Sequence, residues 1–68
     1  MNNDIINLIN QVGTKYKLTS NQINIIIEKF KEDKREATII NNEIEKTANY
    51  FRYQNYFNNI INNTSPLP

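Results

Sequence analysis

Seven carboxylates, eight lysines and arginines and four tyrosines are the side chains through which this chain can do acid–base or ionic chemistry; it has no histidine and no cysteine. Without histidine there is no side chain that titrates, unperturbed, near neutrality, and the commonest metal ligand is missing. Without cysteine there is no thiolate nucleophile, no thiolate metal site and no disulfide. The remaining carboxylates are poorly spaced for joint work. Glu43 and Glu45, or Glu32 and Asp33, are two or one residues apart and point away from each other on a helix. Glu32 and Glu36 do share a face, but inside a run of mixed charges such a pair is ordinarily a solvated surface. Phosphate cradles need clustered glycines and the chain has one. A serine or threonine nucleophile needs a base, usually the histidine that this chain lacks. These residues predict a protein that is not an enzyme, with no catalytic, cofactor-binding or metal-ligating residues and no cofactor.

The aromatic residues offer a different chemistry. Tyr50, Tyr53 and Tyr56 recur every third residue, with Arg52 as the sole charge between Thr47 and Pro68. Rings at that spacing bury a large area while keeping a polar tip available. They can close the rim of a core, or form a docking strip for a protein partner, with Tyr50, Tyr53, Tyr56 and Arg52 as the contact set. The expected function is a small non-catalytic regulator, inhibitor or adaptor that lays a helix face against a macromolecular partner, of the type found in AT-rich phages, plasmids and their hosts.

The alternative is a helix-turn-helix regulator that binds DNA. Thr38–Thr47 would be its positioning helix, Ala48 and Asn49 its turn, and Tyr50–Ile61 the helix presented to the major groove. Arg52, Gln54 and Asn55 would read base edges, with Lys34 and Lys46 on phosphate. Electrostatics weigh against it. Phosphate neutralisation supplies most of such affinity, the net charge is only +1, and the reading helix brings one cation. Glu45 also falls where a small apolar residue is wanted. Lys15, Tyr16 and Lys17 make a smaller basic and aromatic trio, which is either a phosphate contact or, more commonly, linker with the ring laid over the core edge.

Those side chains need elements to hold them. From Thr14 to Ser65 there is no glycine or proline, and Ile23, Phe30, Ala37, Ile44 and Phe51 fall seven apart with Ile26, Ile27, Ile40 and Ile61 between them. That rhythm predicts an all-α protein, a small three-helix bundle with a four-helix variant if the last segment divides. Ile5, Ile6, Leu8, Ile9 and Val12 predict a short first helix over 4–12, capped by Asn3 or Asp4 and ended by Gly13. The opening helix, ending in Val12 and Gly13, resembles the ubiquitin-binding three-helix domains in those two residues alone, and no function is carried across.

Thr19 and Gln22 have capping-box spacing, and Leu18 with Ile23 has that of a hydrophobic staple, which predicts a second helix starting at Ser20 with Ile25 off its buried stripe. The charged run 31–36 tolerates either a continuous helix or a break. Asp33 at an inward position, with Glu36 three residues on as a second capping box, favours a break between Glu32 and Glu36. The remainder predicts a long aromatic-rich helix, bent if anywhere near 41–49, with Ile40, Ile44, Thr47, Ala48, Phe51, Phe57 and Ile61 inward. Pro66 and Pro68 predict an extended tail over 64–68 after a single domain of 1–63.

A chain of 68 residues buries only ~60% of its unfolded surface, so a homo-oligomer, or folding on a partner, is also an expectation. No apolar run approaches the ~18 residues of a membrane span, and Met1 is followed by Asn2, Asn3 and Asp4 in place of a basic leader. The expectation is therefore a cytoplasmic protein with no membrane partner. The abundance of asparagine and isoleucine reads as codon bias more than as a functional tract.

Overall fold

The computed structural model describes residues 3–63. Three helices account for all the regular structure among them: α1 (Asn3–Lys15), α2 (Ser20–Phe30) and α3 (Ala37–Asn63). Each packs on the other two. The all-α three-helix expectation holds, and there is no fourth helix among the described residues because α3 runs unbroken through 41–49. The tail expected at 64–68 lies outside the described residues.

The first helix is longer at both ends than its apolar stripe predicts. Asn3 and Asp4, expected to cap it, are inside it, where the Asp4 carboxylate in the first turn complements the helix dipole. Gly13, expected to end it, is a buried residue of its last turns. The terminator is Lys17, in the left-handed region at φ 58°. Its amide donates to the Thr14 carbonyl (3.2 Å) and the next amide, of Leu18, donates back to the Gly13 carbonyl (2.8 Å). That pair of bonds is the Schellman arrangement, made here by a lysine where glycine is the usual choice. Gly13 is required for a different reason. A Cβ on it would stand 2.5 Å from Ile23 Cγ1, so the absent side chain is what lets α1 approach the start of α2.

The α2 boundary is as the sequence predicts. Thr19 Oγ1 accepts from the Gln22 amide (3.1 Å), and Gln22 Oε1 accepts from the Thr19 amide (3.0 Å). Leu18 is buried ahead of the cap, Ile23 packs on the core, and Ile25 is exposed.

The break between α2 and α3 falls at 31–36, also as expected, but its chemistry is not a second capping box. Asp33 instead accepts from the Arg35 amide (3.0 Å) and its guanidinium, which reaches on to both carboxylate oxygens of Glu43 at 2.9 Å. The charged run is thus tied down onto α3. Asp33 is held down to about 2 by hydrogen bonding from Arg35, and Glu43 is lowered by the same guanidinium.

The core consists of Ile5, Ile9 and Val12 from α1, Leu18 from the link, Ile26 and Phe30 from α2, and Ile40, Ile44 and Ala48 from α3. Around it lie Leu8, Tyr16, Ile23, Ile27 and Phe51. Of the seven-residue series, Ala37 is exposed at the start of α3 and the other members face inward.

The lengths of the helices decide what happens next. With 13 and 11 residues, α1 and α2 are ~20 Å and ~17 Å long, whereas the 27 residues of α3 extend ~40 Å. The described chain accordingly measures 50 × 19 × 17 Å. α3 is longer than either helix it packs on, and Phe57 and Ile61, expected inward, are 58% and 63% exposed.

Candidate functional site

The core-facing side chains of α3 are Ile40, Ile44, Ala48 and Phe51. Carried on at the same helical spacing, that stripe next meets Asn55, Asn58 and Asn59, which are polar. At about 100° per residue, Tyr50, Tyr53, Phe57, Ile60 and Ile61 instead fall within a band ~100° wide on the opposite side of the helix. The apolar face of α3 therefore changes sides around 50–53, where the two stripes overlap at Tyr50 and Phe51. Six side chains on this outer surface are exposed in part: Tyr50 at 59%, Tyr53 at 55%, Tyr56 at 60%, Phe57 at 58%, Ile60 at 37% and Ile61 at 63%.

All three tyrosines read from the sequence as contact residues are thus exposed. They do not form one straight strip, because a spacing of three turns each ring ~60° from the last. Tyr53 lies within the band, Tyr50 near one edge, and Tyr56 beyond the other. Phe57, Ile60 and Ile61 complete the band, although the seven-residue rhythm predicts Phe57 and Ile61 inward. The signal was present in the chain: apolar residues at 50, 53, 57 and 60 repeat by alternate threes and fours, out of step with 40, 44, 48 and 51.

Arg52 is committed within the chain. Its guanidinium carbon lies 5.2 Å from the centre of the Tyr16 ring and 5.1 Å from that of Tyr53. Tyr16 also has the Lys15 ammonium 4.8 Å from its centre, and its hydroxyl donates to Glu45 Oε1 at 2.7 Å. The ammonium also stands 3.5 Å from Glu45 Oε2; its contacts with the Tyr16 hydroxyl and with Glu45 raise the pKa of Lys15. The basic and aromatic trio is therefore the edge of the core, and Arg52 is drawn towards it.

The residues assigned to base reading are likewise engaged internally. Asn55 and Gln22 exchange hydrogen bonds: Gln22 Nε2 donates to Asn55 Oδ1 at 2.8 Å and Asn55 Nδ2 donates to Gln22 Oε1 at 2.9 Å. Gln54 Nε2 donates to the Tyr50 hydroxyl at 2.9 Å. Lys34 is in the connector and Lys46 on the first half of α3, both exposed. The turn expected at Ala48 and Asn49 is not formed. Both residues are helical and Ala48 is fully buried, since its small side chain lets α3 lie close on the core. A helix-turn-helix in that register is ruled out.

An open cleft of about 1130 Å³ lies at the other end of the bundle, between the start of α1 and the 31–36 connector. Asp33 and Arg35, on its lining, are already satisfied by each other. Among the described residues there is no group of three carboxylates fit to hold a metal ion, and no helix is long and apolar enough to cross a membrane.

Comparison with family models, curated proteins and solved structures finds no match to this chain. The outer face of α3 stands on its geometry alone.

Proposed function

We propose that this chain is a non-catalytic helical regulator or adaptor, working in the cytoplasm, that associates with protein through the outer face of α3. The observation that supports this reading is the exposure of four aromatic rings and two isoleucines along one half of one helix. Exposed apolar residues scattered singly are ordinary, but a contiguous set on a projecting element is what interaction surfaces are made of. The composition fits the same use. Aromatic anchors carry a disproportionate share of interface energy, and charge is depleted from interface centres. Arg52 is the sole charged residue from Thr47 onward, and it leans on Tyr16 and Tyr53.

A photoreactive amino acid at Tyr53 or at Phe57, in cells expressing the chain, tests this directly. Protein adducts are expected from both positions and not from Asn24, exposed on α2. No adduct from either position would end the proposal. With the partner in hand, Tyr53→Ala is expected to weaken binding by more than ~1 kcal/mol, and Tyr56→Ala by less.

A further inference from the structure

We infer that the occupant of this face is a second copy of the chain, whose projecting half of α3 lies antiparallel along the first. The inference rests on the proposed docking role of the face and names its partner. Three features of the helix carry it.

Spacing comes first. Tyr50, Tyr53, Phe57 and Ile60 follow the alternation of three and four that makes a seam between two helices, and Ile61 flanks it. The seam lies on the side of α3 away from α1 and α2, so neither helix obstructs a second copy.

Area comes second. Tyr50, Tyr53 and Phe57, each little more than half exposed, with the two isoleucines leave roughly 500 Å² of apolar surface per copy. Two such faces brought together bury at most about 1,000 Å², the size of a weak specific interface. The expected complex is a dimer that dissociates in the micromolar range.

Charge permits a second copy and decides the direction. A segment with one cation makes no selection for an acidic or basic partner, and it tolerates itself. In a parallel pairing Lys46 would face Lys46 and Glu43 would face Glu43 across the extended seam, and like charges opposed in that way are costly. An antiparallel pairing centred near Phe57 carries both residues away from their counterparts. It also separates the two Arg52 positions by ~15 Å along the axis.

Sedimentation equilibrium on the full chain from 5 to 500 μM (about those bounds), with helix content followed by circular dichroism, tests the association. The mass is expected to rise from 8.1 kDa towards twice that value. Tyr53→Glu and Phe57→Glu are expected to raise the dissociation constant at least ~100-fold while leaving the helical signal intact. A mass of 8.1 kDa throughout, or a dimer indifferent to both substitutions, overturns the inference.

Direction is read from spin labels on Asn42→Cys, unique because the chain has no other cysteine. The antiparallel pair places the labels ~45 Å apart and a parallel pair brings them within ~20 Å, so the short distance overturns the arrangement. The photo-adducts separate the two levels of the argument. Self-adducts support the second copy. Adducts exclusively with another protein overturn it while leaving the docking face standing, and no adducts overturn both.

Discussion

Between Ala37 and Phe51 the larger apolar side chains of α3 turn mainly towards α1 and α2, whereas between Arg52 and Ile61 they turn away and the inward positions are asparagines. Both halves belong to one unbroken helix. The difference is one of phase as well as of composition, since charge falls away after Lys46. A helix keeps its backbone hydrogen bonds wherever its side chains point, so its continuity does not reveal where its apolar face lies. In the first half that face is held by a core with no orphaned polar side chain among the described residues. In the second it is exposed.

The sharpest way to break this contrast is to remove the same methyl groups from each half. Ile44→Ala, at a fully buried site, is expected to cost about 3 kcal/mol in urea unfolding at dilute protein, through lost transfer energy and the cavity left behind. Ile61→Ala, 63% exposed, is expected to stay within about 0.5 kcal/mol in the same measurement. Equal costs would mean that the second half is folded back on something and the division is false.

The seam between the halves can be probed next. Gln22→Ala removes an acceptor of the capping box and the partner of Asn55, and is expected to cost about 1 kcal/mol. Asn55→Ala, which leaves the cap intact, is expected to cost about half as much. Additive single effects in the double variant would show that the two amides do not cooperate.

The smallest expected effect concerns the anchored end of α3. Asp33 at about 2 and Glu43, lowered, both lie below their ordinary values of 3.8 and 4.5. A depressed carboxylate contributes stability that is complete above its unfolded value and is lost as pH falls through the folded one. Thermal midpoints at low salt are therefore expected to drop as pH is lowered from 5 to 2 (roughly), and to drop less in Arg35→Gln. Exposed pairs of this type are strongly screened, so added salt should flatten the difference. An identical pH dependence in the variant would remove the Asp33–Arg35–Glu43 cluster as its source.

How much of this could be read from the chain follows the same division. The bundle was legible because its signals are local: the Thr19 and Gln22 box, the apolar stripes, and the break at the charged run each depend on neighbours a turn apart. The end of α1 was misread since Gly13 has two uses, a left-handed cap or a close approach, and only the position of Ile23 distinguishes them. Phe57 and Ile61 were placed inward because a seven-residue rhythm was carried past the point where α1 and α2 end. Tyr50, Tyr53 and Tyr56 are exposed, yet their spacing hides the straighter line through Phe57 and Ile61. Arg52 and Asn55 were marked for a partner, and their internal companions, Tyr16 and Gln22, are more than thirty residues away in the chain. No local pattern announces such pairings.

The amide pair of Gln22 and Asn55 has a mechanical consequence. It stands near the fulcrum of a lever whose long arm is the projecting end of α3, and the oxygen that receives Asn55 also receives the first amide of the turn that starts α2. A partner on the far arm would therefore sit one hydrogen-bonded pair away from the cap that starts the second helix.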